Sequence, residues 1–433
     1  LPKVLVISRH FPPIGPIGGS IRLVKFLKYT SLKGWQFIVL TQDLEKTVIP
    51  EEKLSTSLLE DIPAETQIER VSAPFKGDIK RNRSLFYYKL IVLKRYIIEK
   101  LLGNTSIFWG IKILIHGILN FKKWDIDLIY SVSPPFTDAF IGCLLALISQ
   151  KPYVLDLKDD WVGSPDFQKK NIYRQQLENW LERLIISSAS AIVTVTPQSH
   201  QLYSQRYARA GFNDIIYYVP NGSDLEEYKE LWGRKRRIET RKFTILSAVW
   251  GFRKNYRDLT AFLLSLDVFL NKHPEAKQKI DIIFLGNSLS SDYKDMITES
   301  GLAKIINETG ALDRKEFVES LWKADLFLLI QPINNTTAIS GTLYEYWATG
   351  KAPVLLIAEK GASTSLVERF DLGMHFHFSE IEKCASYIET VYRAYQNGRP
   401  VWINTESIEQ FDRRALAMQM ENIWHRALSR HRE

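Results

Sequence analysis

KVLVISRHFPPIGPIGGSIRLVKFLKYTSLKGWQFIVLT, residues 3–41, changes its apolar period twice. Lys3–Ser8 is a continuous apolar run of strand length, and Phe37–Thr41 is a second. Between them Ile21, Val24 and Leu27 recur every third residue, Leu23 lies four before Leu27, and Leu32 continues the apolar side. Arg22, Lys25 and Lys28 fall on the opposite side of the expected helix. Strand, glycine-rich loop, helix and strand predict a βαβ unit, and hence a parallel sheet covered by helices.

The rhythm continues along the chain. IDLIYSV (126–132), PYVLDL (152–157), AIVTVT (191–196) and IIYYVP (215–220) are further short β-rich runs with helical segments between them. After PNGSD (220–224) the charged stretch LEEYKELWGRKRRIETRK has no strand pattern. The rhythm then restarts in FTILSAV (243–249), IDIIFLG (280–286), KIINETG (304–310), DLFLLIQ (325–331) and APVLLIA (352–358). The expected architecture is α/β, with two Rossmann-like doubly wound domains facing each other across a cleft. The expected divisions are 1–230, 231–410 and a closing helix over 411–433 that can pack back on either domain, the first being the candidate.

Composition agrees with two globular domains: 433 residues, 45% hydrophobic and 24% charged. Cys143 and Cys384 lie in apolar helical patterns and read as buried thiols of a reducing compartment. No run approaches the roughly 20 apolar residues of a membrane span. With no signal-peptide pattern at its start, the chain is expected to be cytoplasmic.

The net charge of +8 is largely local. Between Lys76 and Lys123 many lysines and arginines, interleaved with Phe86, Tyr87, Tyr88, Tyr96 and Trp109, face only Asp78 and Glu99. This mixture suits an anionic membrane surface, so residues 76–123 are an expected peripheral-membrane contact. A solvated basic face over core helices is the competing reading. No nucleic-acid-binding motif accompanies the charge, so no nucleic-acid partner is expected.

The glycine cluster Gly15, Gly18 and Gly19 lacks the lysine of a P-loop and the spacing of a dinucleotide fingerprint, although Asp43 lies near the end of the second strand run. Two readings remain for the loop by itself, a tight turn and a phosphate cradle.

RHFPPIGPIGGSIRLVKFLKYTSLKGWQFIVLT, YSVSPPFTDAFIGCLLA, YVLDLKDDWVGSP, AIVTVTPQSHQLY, VPNGSDLEEY, GALDRKEFVESLWKADLFLLI and GTLYEYWATGKAPVLLIA, in this order through nearly the whole chain, resemble the GT-B glycosyltransferases of family 4, the retaining group 1 enzymes. The resemblance implies a nucleotide-sugar donor held mostly by the second domain and an acceptor on the first. No other cofactor is implied. It puts Gly18 and Gly19 near the donor diphosphate, where glycines let backbone N–H groups approach an anion at a helix start. It puts Arg253 and Lys254 on the same diphosphate, where two cations stabilise the leaving nucleotide without a metal. Glu345 matches the acid that accepts the ribose hydroxyls, with Ser340, Gly341 and Thr342 at the start of its helix. The expected product is a glycan or glycolipid of the cell surface, built on a lipid-linked acceptor.

The chain departs from the family pattern at three places. Thr337 stands where an earlier glutamate is usual, Thr342 replaces a lysine, and no histidine follows Pro134 and Pro135. These departures leave a second reading open, a non-catalytic relative that binds a nucleotide-sugar or a partner. Retaining members are thought to use the leaving phosphate to take the acceptor proton. If a side chain assists, Asp138 and then Asp160 are the candidates, both expected just beyond strand ends; a helix cap is the alternative for either. The Asp125–Asp127 DxD-like triplet lies at the start of a strand and the eight histidines lack ligand spacing, so no metal is expected.

Overall fold

The computed structural model describes residues 1–14, 19–43, 56–72, 106–233, 242–249, 251–286, 289–310 and 312–431. In the first half the apolar runs form β1 (Lys3–Ile7), β2 (Gln36–Gln42), β4 (Leu128–Ser133), β5 (Tyr153–Leu157), β6 (Ala191–Thr194) and β7 (Ile216–Tyr218). A further strand, β3 (Gln67–Val71), completes a parallel sheet of order β3-β2-β1-β4-β5-β6-β7. Its sequence QIERV has no apolar run because it is an edge strand, partly exposed along its length.

Both faces of this sheet are covered, as parallel sheets require. The first half contributes α1 (Gly19–Ser31), α2 (Ser106–Trp124), α3 (Phe136–Ser149), α4 (Ile172–Ser188) and α5 (Pro197–Tyr207). Side chains of α2, α3, α4 and α5 pack with Leu5, Ile129, Leu155 and Ile192 on one face. Helix α1 packs with Val4, Val6, Val39 and Val132 on the other.

The expected polar side of α1 is not solvated. Arg22 and Lys25 are each 1% exposed, whereas Leu32 is 72% exposed. Arg22 Nε stands 3.2 Å from Asp156 Oδ2, which also accepts the Tyr130 hydroxyl at 2.6 Å, and Lys25 reaches Asp61 at 2.6 Å. Carboxylates on neighbouring elements draw these cations inward, because a buried charge persists only when paired.

The second half builds β8 (Phe243–Ser247), β9 (Ile280–Phe284), β10 (Ile306–Glu308), β11 (Leu326–Ile330), β12 (Val354–Ile357) and β13 (Gly373–Phe376). They form a second parallel sheet of order β10-β9-β8-β11-β12-β13. Around it lie α6 (Thr260–Lys272), α7 (Ser291–Glu299), α8 (Arg314–Leu321), α9 (Gly341–Thr349), α10 (Ala362–Arg369) and α11 (Ile381–Gln396). The chain ends in α12 (Arg413–Arg430).

Two compact units result, Leu1–Pro220 with Leu416–Glu433, and Asn221–Ala415. The first division falls earlier than residue 230 because Leu225, Tyr228 and Leu231 are buried in the second core. From Leu416 onward α12 belongs to the first core: Leu416, Met420 and Trp424 are fully buried there. Trp424 meets Trp35, Tyr130 and Phe37 with ring centroids 5.1, 5.4 and 6.0 Å away. Burying each such apolar side chain contributes about 1.5–3 kcal/mol, enough to hold the terminal helix on this unit.

Cys143 and Cys384 are buried free thiols. Among the described residues no helix is long and apolar enough to cross a membrane. Of the basic segment, 106–123 lie in α2, and 76–105 lie outside the described residues.

Candidate functional site

In an open parallel sheet, the crevice beyond the strand C-termini at the reversal of strand order is where ligands bind. In the first unit that reversal lies between β1 and β4. Arg9 follows β1, and Asp138 occupies the first turn of α3 after β4. The Asp138 carboxylate accepts the Arg9 backbone N–H at 2.7 Å, and its Oδ1 has no hydrogen-bond partner. Its side chain is fully buried, and burial pushes its pKa up to about 8 against the opposing pull of the Arg9 N–H, Arg9 and Lys158. Asp138 is therefore protonated at neutral pH. It is not a helix cap, since Pro135 holds that position.

The Arg9 side chain donates to Gln42 Oε1 at 2.6 Å, and Arg70 donates to the Pro12 carbonyl at 2.6 Å, so the loop after β1 is held from the ends of β2 and β3. Gly19 opens α1. Gly15 and Gly18 lie outside the described residues.

Asp160 lies in the loop after β5, 8% exposed, with Oδ2 lacking a hydrogen-bond partner. Two buried acids of α4 fix that loop. Glu178 accepts the Trp161 indole N–H at 2.9 Å, and Glu182 accepts the Val162 N–H at 3.1 Å. Trp161 in turn stacks on Phe136 at 4.4 Å, so the loops after β4 and β5 are joined.

In the second unit the reversal lies between β8 and β11. The Tyr346 hydroxyl accepts the Ala248 N–H at 2.7 Å and donates to the Leu328 carbonyl at 3.1 Å, pinning α9 across both strands. Gly251, at φ 78°, turns the chain after β8 into an exposed loop that carries Arg253 and Lys254. This loop is tied to the end of β11, Arg257 Nε donating to the Ile330 carbonyl at 3.1 Å and Ile333 N–H to the Tyr256 carbonyl at 2.9 Å. On the β11 side, Ser340 caps α9 through its backbone position while its side chain makes no cap bond. A Cβ added at Gly341 would meet nothing within 4 Å, and Thr342 is half-buried. Arg253, Lys254, Ser340, Gly341 and Thr342 thus share the C-terminal edge of one sheet at its switch point. Cations and a helix N-terminus there suit an anion.

Glu345 behaves differently. It is 4% exposed, and both carboxylate oxygens are engaged inside the unit. Oε1 accepts from Arg413 at 3.0 Å, and Oε2 accepts from Arg314 at 2.7 Å, Ser223 at 3.0 Å and the Tyr228 hydroxyl. Burial alone would raise its pKa, but Arg314 and Arg413 outweigh burial and hold it below the usual carboxylate range. Three donors crowd Oε2, while Oε1 takes Arg413 alone and keeps a second acceptor direction.

Sequence reading did not assign Arg9, Arg314, Arg413 or Tyr228. Arg314 had a usable signal. Asp313 and Glu316 form a reciprocal capping box that fixes Arg314 as the first residue of α8.

No protein-family model matches the chain, and no curated protein matches its sequence. Among solved structures it is similar to sucrose-phosphate synthase from Thermosynechococcus elongatus, with a TM-score of 0.66 and 15% identity over 99% of this chain and 100% of that one. The chain has the GT-B glycosyltransferase fold. Another GT-B neighbour is Alr3699/HepE from Anabaena, solved in complex with UDP, with a TM-score of 0.60 and 16% identity over 98% of this chain and 99% of that one. The same fold is seen in UDP-GlcNAc 2-epimerase from Methanocaldococcus jannaschii, solved with UDP-GlcNAc and UDP, with a TM-score of 0.54 and 13% identity over 98% and 99% of the two chains. GT-B architecture therefore does not by itself select the reaction.

Proposed function

We propose that the protein is a retaining glycosyltransferase that takes a sugar from a nucleotide-sugar and passes it to an acceptor, here a lipid-linked one of surface-glycan assembly. The observation that carries this reading is the pair Arg253 and Lys254 at the switch point of the second sheet, on an exposed loop beside the strand that leads to α9. UDP in a GT-B neighbour supports a nucleoside diphosphate as the anion.

In this reading the bond from the anomeric carbon to the leaving phosphate oxygen breaks as the acceptor oxygen bonds on the same face. The acceptor proton passes to that phosphate oxygen. Arg253, Lys254 and the α9 N-terminus at Ser340, Gly341 and Thr342 stabilise the departing diphosphate without requiring a metal. The complete burial of Asp138 supports a positioning role, holding Arg9 in place, and the unpartnered Oδ2 of Asp160 supports a role toward the acceptor. The four internal donors on Glu345 support its acting chiefly as the anchor of Arg314 and Arg413.

The test is release of nucleoside diphosphate from UDP-, GDP-, dTDP- and ADP-hexoses in the presence of a lipid extract. Release that an Arg253→Ala/Lys254→Ala variant lacks is the expected result. The second reading, a non-catalytic nucleotide-sugar binder, rests on Thr337 and Thr342 in place of an acid and a lysine. Donor binding without release would favour it.

A further inference from the structure

Among the described residues seventeen large apolar side chains are exposed, and nine of them lie on three helices of one face of the first unit or at their ends. Helix α2 packs on α3 and α3 on α4, so the three form one layer over the sheet. Their outward residues keep helical spacing. On α2 these are Ile111, Ile115 and Leu119, the last 75% exposed; on α4 they are Tyr173, Leu177 and Trp180, the first 81% exposed. Leu147 and Ile148 stand between them at the end of α3. Ordinary soluble surfaces scatter such residues singly, and a concentration of this kind marks an interaction face.

On the three helices the exposed charges have one sign, with the exposed Asp125 just past the end of α2. Lys112, Lys122 and Lys123 of α2 and Arg183 of α4 are exposed. Helix α2 contains no acidic residue, and the acids of the other two, Asp138, Glu178 and Glu182, are buried.

We infer that the outward face of α2, α3 and α4 docks on an anionic lipid bilayer surface, its aliphatic and aromatic side chains entering the headgroup boundary and its cations meeting lipid phosphates. Two complementary features select this occupant. Aliphatic residues with Trp and Tyr favour the interfacial zone of a bilayer. An excess of exposed cations over acids favours anionic headgroups, each cation adding a salt-sensitive increment. A protein partner that buries the same area would leave these cations to be matched one by one.

This inference deepens the lipid-linked part of the proposed function, while its test needs no donor and is read separately from nucleotide binding. The full chain is floated with phosphatidylcholine vesicles and with phosphatidylcholine vesicles containing phosphatidylglycerol. The expected result is binding to the second only, weakened at least tenfold by Lys122→Glu/Lys123→Glu and by Leu177→Ser/Trp180→Ser. These positions are exposed, and unchanged thermal melting of the variants separates lost docking from lost folding. Three results would overturn the inference: no vesicle binding, binding indifferent to both variants, or concentration-dependent self-association in solution that Leu177→Ser/Trp180→Ser abolishes. The last would make the face an interface between copies of the chain. UDP binding unchanged in the face variants shows that the donor reading stands or falls separately.

Discussion

Asp138 accepts the backbone N–H of Arg9 at 2.7 Å, joining the chain beyond β1 to the first turn of α3 at the strand-order reversal of the first sheet. The same carboxyl group is fully buried and holds its proton to a pH of about 8. The folded chain therefore binds one proton more than the unfolded chain between about pH 4 and that value. This group's contribution to stability is greatest at the acidic end and is lost as pH rises through about 8.

Asp138→Asn keeps an acceptor for Arg9 and cannot titrate. Its stability relative to the wild type is expected to improve between pH 5 and pH 8, by at most about 1.4 kcal/mol per pH unit. Urea midpoints at the two pH values measure this. Parallel profiles for the two proteins would contradict the assignment.

Glu345 titrates in the opposite sense. Its pKa is lowered when folded, so its contribution is present above the ordinary carboxylate range and lost as pH falls through the lowered value. Glu345→Gln leaves Arg413 buried without its counter-charge and Arg314 with Glu227 alone, and about 3–5 kcal/mol should be lost at pH 7. The deficit should shrink in acid as the wild-type group protonates. Chemical denaturation at pH 7 and pH 4 checks both statements, and a Glu345→Gln variant as stable as the wild type at pH 7 would refute them.

Arg253 and Lys254 are exposed, so their removal should leave the fold intact and act on the ligand. Arg253→Ala/Lys254→Ala is expected to melt within about a degree of the wild type and to bind nucleoside diphosphate at least tenfold more weakly, since charge-assisted hydrogen bonds contribute about 1.5–3 kcal/mol each. Calorimetric titration beside a melting curve separates the two effects. Equal affinity would remove the pair from the donor site.

Gly361 carries a third kind of constraint. A Cβ there would fall 2.2 Å from the Thr336 carbonyl oxygen, which also accepts the Ala362 N–H at 2.7 Å. Its backbone is extended, so the obstacle is contact and not conformation. Gly361→Ala should displace Thr336 and the loop leading to Ser340, costing about 1–3 kcal/mol and weakening nucleotide binding. Melting and calorimetry on the variant give both numbers; an unchanged melting temperature would contradict the close approach.

The central strands were legible because strands buried on both faces are nearly continuous apolar runs. Edge strands β3 and β13 were not: QIERV carries polar residues along a partly exposed edge, and the four residues of GMHF bury only Phe376 and expose Met374. Arg22 was misread for a related reason: helical periodicity shows which residues are apolar, and not that Asp156, 134 residues away, waits beneath. Distance along the chain also hid the partners of Glu345. Ser223, Tyr228 and Arg413 lie 122, 117 and 68 positions from it. Arg253, Lys254 and the α9 start were accessible because strand ends and helix starts are local features.

The most direct measurement is a thermal-shift panel of UDP, GDP, dTDP, ADP and NAD on the wild type and on Arg253→Ala/Lys254→Ala. That variant suits the purpose better than one at Glu345, whose removal disturbs the buried cluster itself. A ligand at a hundred times its Kd adds about 2.7 kcal/mol of stability. The account predicts that a nucleoside diphosphate stabilises the wild type and that the variant loses the shift. Stabilisation by NAD alone, or an equal nucleotide shift in both proteins, would contradict it.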